Sequence, residues 1–247
     1  MIPYKIHHIW LQGGIPEKYQ ENYDKWDAFL IDWDHRVWDE ESLLSLCTNK
    51  QVEEYMKIET LINKVNYLKY ILMYNEGGIF SDLDSYPVQD LYKFFVQDKV
   101  EDINIFSGVL DQRYPYNTGI PEGKPFGDYD VIIGGRNTLA YYPDGRRCVL
   151  LDNSALIGVQ GNSFWIDMID WMGKRTNLKS GALSDTEFLP HEPYGPYGMS
   201  DYLYNNFENP YLDGILIIPE LYIARLESNE LEKTDNVYIV HSADSGW

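Results

Sequence analysis

Apolar residues gather in short runs or alternate with polar ones along most of the chain, and only a few stretches carry the three-and-four spacing of a helix. Tyr4 to Leu11 predicts a first strand that ends in Gln12-Gly13-Gly14, where the backbone must turn sharply and stays open to a ligand. Tyr19 to Ile31 has helical spacing, and Arg36-Val37-Trp38 followed by Asp39-Glu40-Glu41-Ser42 predicts a short strand entering an acid-led helix. The longest helical signal covers Gln51 to Asn75, with Tyr55, Ile58, Leu61, Ile62, Val65, Leu68, Ile71 and Leu72 on one face. It predicts one core-facing helix, stopped by a left-handed cap at Gly77-Gly78. Ile79-Phe80-Ser81 then resumes as a short strand that empties into Asp82-Leu83-Asp84.

Further strands are predicted at Ile103 to Leu110, Tyr129 to Ile133, Ile215 to Ile218 and Val237 to Val240, and helices at Ser163 to Met172 and Met199 to Phe207. The Pro, Gly and Tyr content of Arg113 to Lys124 and Ser180 to Tyr197 predicts long ordered loops that carry substrate contacts. No linker, low-complexity tract or internal period divides the chain, so residues 1–247 are expected to form a single α/β domain. In such sheets ligands bind beyond the carboxyl ends of the strands, which is where Asp82 and Asp84 fall.

Charge narrows the ligand. A net charge of −19, from 39 Asp+Glu against 20 Lys+Arg, excludes a phosphate-backbone binder and so predicts no nucleic-acid partner. A polyanionic small ligand would need a cation to offset the protein's own field. Cys47 and Cys148 stand far apart and read as reduced thiols. The apolar runs are strand-sized, so no transmembrane segment is expected. The first ten residues lack the order of a signal peptide, and the expected location is cytoplasmic.

Asp-x-Asp occurs three times, as Asp32-Trp33-Asp34, Asp82-Leu83-Asp84 and Asp128-Tyr129-Asp130. Only the middle pair follows a Gly-Gly-strand sequence. Hard divalent cations take one or two protein carboxylates and fill their remaining positions with water and substrate phosphates, which suits such a turn. The same two acids could also simply cap a turn before Pro87.

The run from Asn66 through Gly77-Gly78 to Asp82-Leu83-Asp84 resembles the helix, Gly-Gly and DXD block of family 32 glycosyltransferases. Ile6-His7-His8-Ile9-Trp10-Leu11 is similar to that family's opening motif, Tyr194-Gly195-Pro196 to its late Gly-Pro loop, and His241 to Trp247 to its closing segment. The resemblance implies a GT-A fold, a Rossmann-like mixed sheet flanked by helices. It also implies a retaining hexosyltransferase that moves a hexose from a UDP- or GDP-sugar to a glycan acceptor with Mn²⁺ or Mg²⁺. On it, Asp84 would ligate the metal and Asp82 would contact ribose or donor sugar, with His241 a further ligand. Trp10, with Leu11, would meet the nucleobase, where the residues alone favour a core Trp, and Asn153 would lie near the donor sugar, although it could equally end a strand. Ser245 and Trp247 would form a lid over the diphosphate. The sequence departs from the pattern at Asn66 and Lys69, where many relatives carry Asp and Arg, and Lys cannot reproduce the planar bidentate fork of Arg.

Two other classes compete with transfer. A glycosidase needs two carboxylates at a set separation, and a non-catalytic nucleotide-sugar or glycan-binding module would result if Asn66 and Lys69 had removed donor activation. His241 to Trp247 is expected to order over a bound donor, and Asp84 to sit on a solvent-accessible loop.

Overall fold

The computed structural model describes residues 1–98, 124–141, 147–175, 194–206, 214–219, 223–225 and 237–242. The chain opens β1 (Lys5–Ile9), α1 (Glu17–Phe29), β2 (Asp34–Trp38), α2 (Glu40–Leu44) and α3 (Asn49–Met56). Side chains set the two short helices. Asp39 accepts from the Ser42 amide and Thr48 from the Gln51 amide, each within a reciprocal capping box.

The predicted helix over Gln51 to Asn75 is two helices, α3 and α4 (Leu61–Glu76). Thr60 takes an extended backbone (φ −92°, ψ 140°) and starts α4 afresh. The apolar spacing runs through the break because Ile58, in the connection, is still buried. At the other end, Gly77 has φ +62° and ψ −157°, so the stop is not the left-handed helical cap expected but an extended conformation at positive φ. That region is open essentially to glycine alone, and a Cβ there would also lie 2.5 Å from the Gln160 backbone nitrogen.

β3 (Gly78–Ser81), β4 (Ser85–Pro87) and α5 (Leu91–Phe95) follow. A hairpin of β5 (Val131–Tyr141) and β6 (Arg147–Gly158) comes next, then α6 (Ser163–Arg175), α7 (Pro196–Asn206), β7 (Ile215–Pro219), β8 (Ile223–Arg225) and β9 (Ile239–His241). The strand expected at Ile103 to Leu110 lies outside the described residues. β6 was not anticipated, and Asn153 lies within it.

The main sheet has the order β2-β1-β3-β6-β5-β7, and β6 alone opposes the other five strands. Period-two alternation gives it two apolar faces. Ile6, Ile79, Ile132, Ile157, Leu216 and Ile218 face α1 through Trp26, while Ile9, Phe80, Val131, Ile133 and Leu156 face α4 and α6. The fold is therefore α/β, a mixed sheet with helices on both faces, as expected. α4, packed on that second face, is buried at every position from Val65 to Met73.

Two features aim this frame at one place. From β1 the chain crosses by α1 to β2 on one side, and α4 returns it to β3 on the other. The carboxyl ends of β1 and β3 thus flank a switch point, the crevice where sheets of this kind bind ligands. Next to it, β6 is bulged: Ile133 pairs with Leu156 but Gly134 with Asp152, so Asn153, Ser154 and Ala155 have no match on the β5 side. A second, three-stranded sheet of order β4-β9-β8 brings the chain's end to the same point, with Ser85 opposite His241.

Candidate metal and nucleotide-sugar site

Asp82 leaves β3 with its amide donating to the Ser154 carbonyl at 2.8 Å, and the Ser85 amide closes a tight turn on the Asp82 carbonyl at 2.9 Å. Within this turn Leu83 packs with Trp10 and Tyr19. The flanking acids meet His241, delivered by β9. One ligand atom each from Asp82, Asp84 and His241 lie within 4.8 Å of one another, and no other such group of three occurs among the described residues. Asp32, Asp34, Asp128 and Asp130 are exposed and join no such group.

His241 Nε2 lies 3.2 Å from Asp84 Oδ1, and His241 Nδ1 is buried without a hydrogen-bond partner among the described residues. Burial works against the imidazolium. The Asp84 hydrogen bond and the charges of Asp84, Asp82 and Asp152 outweigh it, raising the His241 pKa above the ordinary histidine value. Ser242 fixes the pair from behind, with its amide 2.9 Å and its hydroxyl 2.7 Å from the Asp84 carbonyl oxygen. Asp84 is only 7% exposed, so it is not on the solvent-accessible loop that the sequence suggested. The paired strands β4 and β9 cover it.

Asp82 has a different partner. The Lys69 ammonium, buried in α4, lies 2.8 Å from Asp82 Oδ1 and donates to the Asn153 carbonyl at 3.2 Å. Burial raises the Asp82 pKa; Lys69 opposes that rise and Asp84 adds to it. The bulge in β6 explains how a buried lysine is satisfied here. Freed from the ladder toward β5, the Asn153 carbonyl turns to Lys69, while the Ser154 carbonyl takes the Asp82 amide as the next rung of the β3–β6 ladder. The Asn153 side chain donates to Asn66 Oδ1 at 3.0 Å, one helical turn before Lys69. Asn66, Lys69, Asp82 and Asn153 thus form one connected polar cluster beside Asp84 and His241.

Trp10 follows β1 directly, is 8% exposed and stands edge-on to Tyr19 with ring centroids 6.0 Å apart. Leu11 packs against the core on the α4 face. Ser245 and Trp247 lie outside the described residues, so the lid expected of them has no structural description. The sequence did not single out Ser242 or Ser154. A serine immediately after a candidate ligand histidine was the available signal for the first, whereas the second acts through a backbone carbonyl and leaves none.

Donor chemistry can be tested against this geometry. Two carboxylates and an imidazole are a hard oxygen set with one borderline nitrogen, which suits Mn²⁺ or Mg²⁺ and is a poor match for thiophilic ions. Held by Asp84 and His241 with Asp82 beside them, such an ion would keep positions for water and phosphate oxygens.

Comparison with known proteins agrees in position. Residues 16–104 match the family described as a glycosyltransferase sugar-binding region containing a DXD motif. HOC1 of Saccharomyces cerevisiae, named as a glycosyltransferase, is 22% identical over 99% of this chain and 65% of its own length. A glycosyltransferase of Acanthamoeba polyphaga mimivirus is 25% identical over 46% of this chain and 51% of its own length. The chain thus spans about half to two thirds of these relatives. Among solved structures, the PaToxG glycosyltransferase aligns with 86% of this chain and 72% of its own at 16% identity and a TM-score of 0.48. A glycosyltransferase involved in glycosylation of the major capsid of PBCV-1 aligns with 98% of this chain and 94% of its own, at 10% identity and a TM-score of 0.44. The segment that matches this family runs from just before α1 past the acidic turn, and so takes in Asp82 and Asp84.

Proposed function

We propose that the chain is a GT-A glycosyltransferase that takes a hexose from a nucleoside diphosphate donor, UDP- or GDP-linked, to a glycan acceptor with retention at the anomeric carbon. The observation that carries this reading is the convergence of Asp82, Asp84 and His241 at the carboxyl end of β3. Asp84 and His241 would hold Mn²⁺ or Mg²⁺, with Asp82 beside them. When bound, that ion would offset the charge of the departing nucleoside diphosphate.

The remaining roles belong to the chain itself. Lys69 keeps a buried cation 2.8 Å from Asp82, so the site does not depend on the ion alone to balance its acids. Asn66 and Asn153, held to each other, offer amide groups for sugar hydroxyls where a charged pair would have imposed a fixed charge. Trp10 and Leu11, which follow β1, would meet the nucleobase. Closure by Ser245 and Trp247 would exclude water from the donor.

Nucleoside diphosphate release, measured over a panel of UDP- and GDP-hexoses with and without Mn²⁺, tests the proposal. A donor turned over only with the cation supports it. Binding of the same donor without release, even with glycan acceptors present, would leave a binding module instead.

A further inference from the structure

Behind the acidic turn, a line of hydrogen bonds runs from the protein surface to the peptide unit that opens it. His8 Nδ1 lies 2.7 Å from the Ser81 carbonyl oxygen, His8 Nε2 lies 2.9 Å from His35 Nε2, and His35 Nδ1 lies 2.7 Å from Asp27 Oδ1. His8 is fully buried, the His35 side chain is 5% exposed, and that of Asp27 is 60% exposed. The Tyr23 ring stacks on His35 at 3.9 Å, and Trp26 stands edge-on to His8.

The protons do not balance if both rings are neutral. A carbonyl and a carboxylate only accept, so each end of the line requires an N–H from the imidazole facing it. The middle link requires another, because two bare ring nitrogens at 2.9 Å would set lone pair against lone pair. Two neutral imidazoles carry two N–H groups between them. The three links need three.

We propose that His8 and His35 share a third proton, carried as an imidazolium at His35 against Asp27, and that this array is a positioning device for the Ser81–Asp82 peptide unit. That unit is held on both sides, its carbonyl by His8 and its amide by the Ser154 carbonyl. The groups bearing on the array are Asp27 and Tyr23 of α1, with Asp24 acting on Tyr23, Asp34 of β2 and His7 of β1. Burial lowers the pKa of both histidines, most at His8, while Asp27 and Asp34 pull that of His35 upward. The proton therefore resides on the ring facing Asp27. Its loss as pH rises breaks the His8–His35 link and loosens the hold on the Ser81 carbonyl.

The sign is distinctive. Competition between protons and a cation for His241 makes cation binding improve as pH rises, whereas loss of the array's proton works against it. That link to cation binding rests on the site proposed above, but the proton count does not.

Histidine ¹⁵N NMR on the full chain, with amide exchange at Asp82, tests the array. At about pH 5.5, three imidazole N–H groups are expected on His8 and His35, both nitrogens of His35 being protonated. In Asp27→Asn the third proton should leave about one pH unit lower. Exchange at the Asp82 amide, corrected for its intrinsic pH dependence, should quicken about tenfold once that proton is gone. Two N–H groups at every pH, or an Asp82 amide indifferent to the third proton, would overturn the proposal. A Mn²⁺ titration of the same samples reads the cation site separately, so either reading can fail alone.

Discussion

Ser242 sets both its backbone N–H and its hydroxyl on the carbonyl oxygen of Asp84, at 2.9 and 2.7 Å. A residue next to His241 thereby holds the backbone of the acid that His241 faces, and the spacing between the two side chains is fixed through the main chain as well as through their own contact. Positions of candidate ligands are worth most when set this way, because little motion is left to freeze when a charged partner arrives.

For that reason Asp84→Asn is expected to keep the fold and lose the cation response. The amide retains the shape of the carboxylate and a hydrogen bond to His241, so the melting temperature without metal should stay within about 2 °C of the parent. Mn²⁺ should then no longer raise it, and metal-dependent donor turnover should vanish. Asp84→Ala, which strips His241 of its partner inside a buried site, should cost about 1–3 kcal/mol in addition. Thermal shift with and without Mn²⁺ separates the two variants.

Lys69 is 1% exposed and pairs with Asp82. Lys69→Met should destabilise by about 3–5 kcal/mol, since it leaves a buried carboxylate uncompensated. Adding Asp82→Asn should recover most of that loss, because the remaining amide carries no charge. Urea denaturation of the two single variants and the double variant measures the coupling. Equal and additive losses would show that the pair is not coupled.

His7 gives a pH dependence of definite sign. Its Nδ1 accepts from the Trp38 indole at 3.0 Å and its Nε2–H donates to the Gly77 carbonyl at 3.0 Å, so both nitrogens are used by the neutral ring. Burial pushes its pKa down from 6.5 to about 4. The unfolded chain takes up a proton there as pH falls below about 6.5 and the folded chain does not, so stability is full above that pH and declines toward about pH 4. By about pH 5 the loss from His7 alone is about 2 kcal/mol. The gap in unfolding free energy between wild type and His7→Gln should narrow by that amount between about pH 7 and pH 5.

Gly77→Ala should be among the most damaging single-methyl changes available, through positive φ and overlap with Gln160 together. A loss of more than about 3 kcal/mol is expected. Gly14→Ala, at φ +67° but with no atom near its added Cβ, should cost about 1 kcal/mol. Comparing the two by denaturation isolates the contribution of crowding.

Removing Ser245 to Trp247 should lower donor turnover at least tenfold while shifting the melting temperature by no more than about 2 °C. A parallel loss of stability would instead make the segment a structural anchor.

How far the sequence disclosed these arrangements depended on the range of the interaction. β1, α1, β2 and the acid-led start of α2 at Asp39 are set by neighbours a few residues away, and the opening pattern of the chain displays them, whereas the cap at Thr48 was not read from it. The nearness of Asp82 and Asp84 to a strand end was legible for the same reason. That α3 and α4 are separate was hidden because Ile58 stays buried through the break. Strand β6 was hidden because its three-residue bulge spoils the two-residue period. The burial of Asp84 and the pairing of Lys69 with Asp82 depend on β9 and β6, far along the chain, and no local pattern encodes either. His241 was marked by resemblance, and only the pairing of β4 with β9 shows how it reaches the turn.

The bulge at Asn153 to Ala155 also constrains how this chain can change over descent. A deletion that restored an even ladder between β5 and β6 would return the Asn153 carbonyl to its strand neighbour. It would leave the sealed-in ammonium at position 69 without its backbone acceptor. Length at one strand and charge at a distant helix are therefore locked together. Relatives that carry an uncharged residue in place of Lys69 are expected to be free to lose the extra residues, and relatives that keep a cation there are expected to keep them.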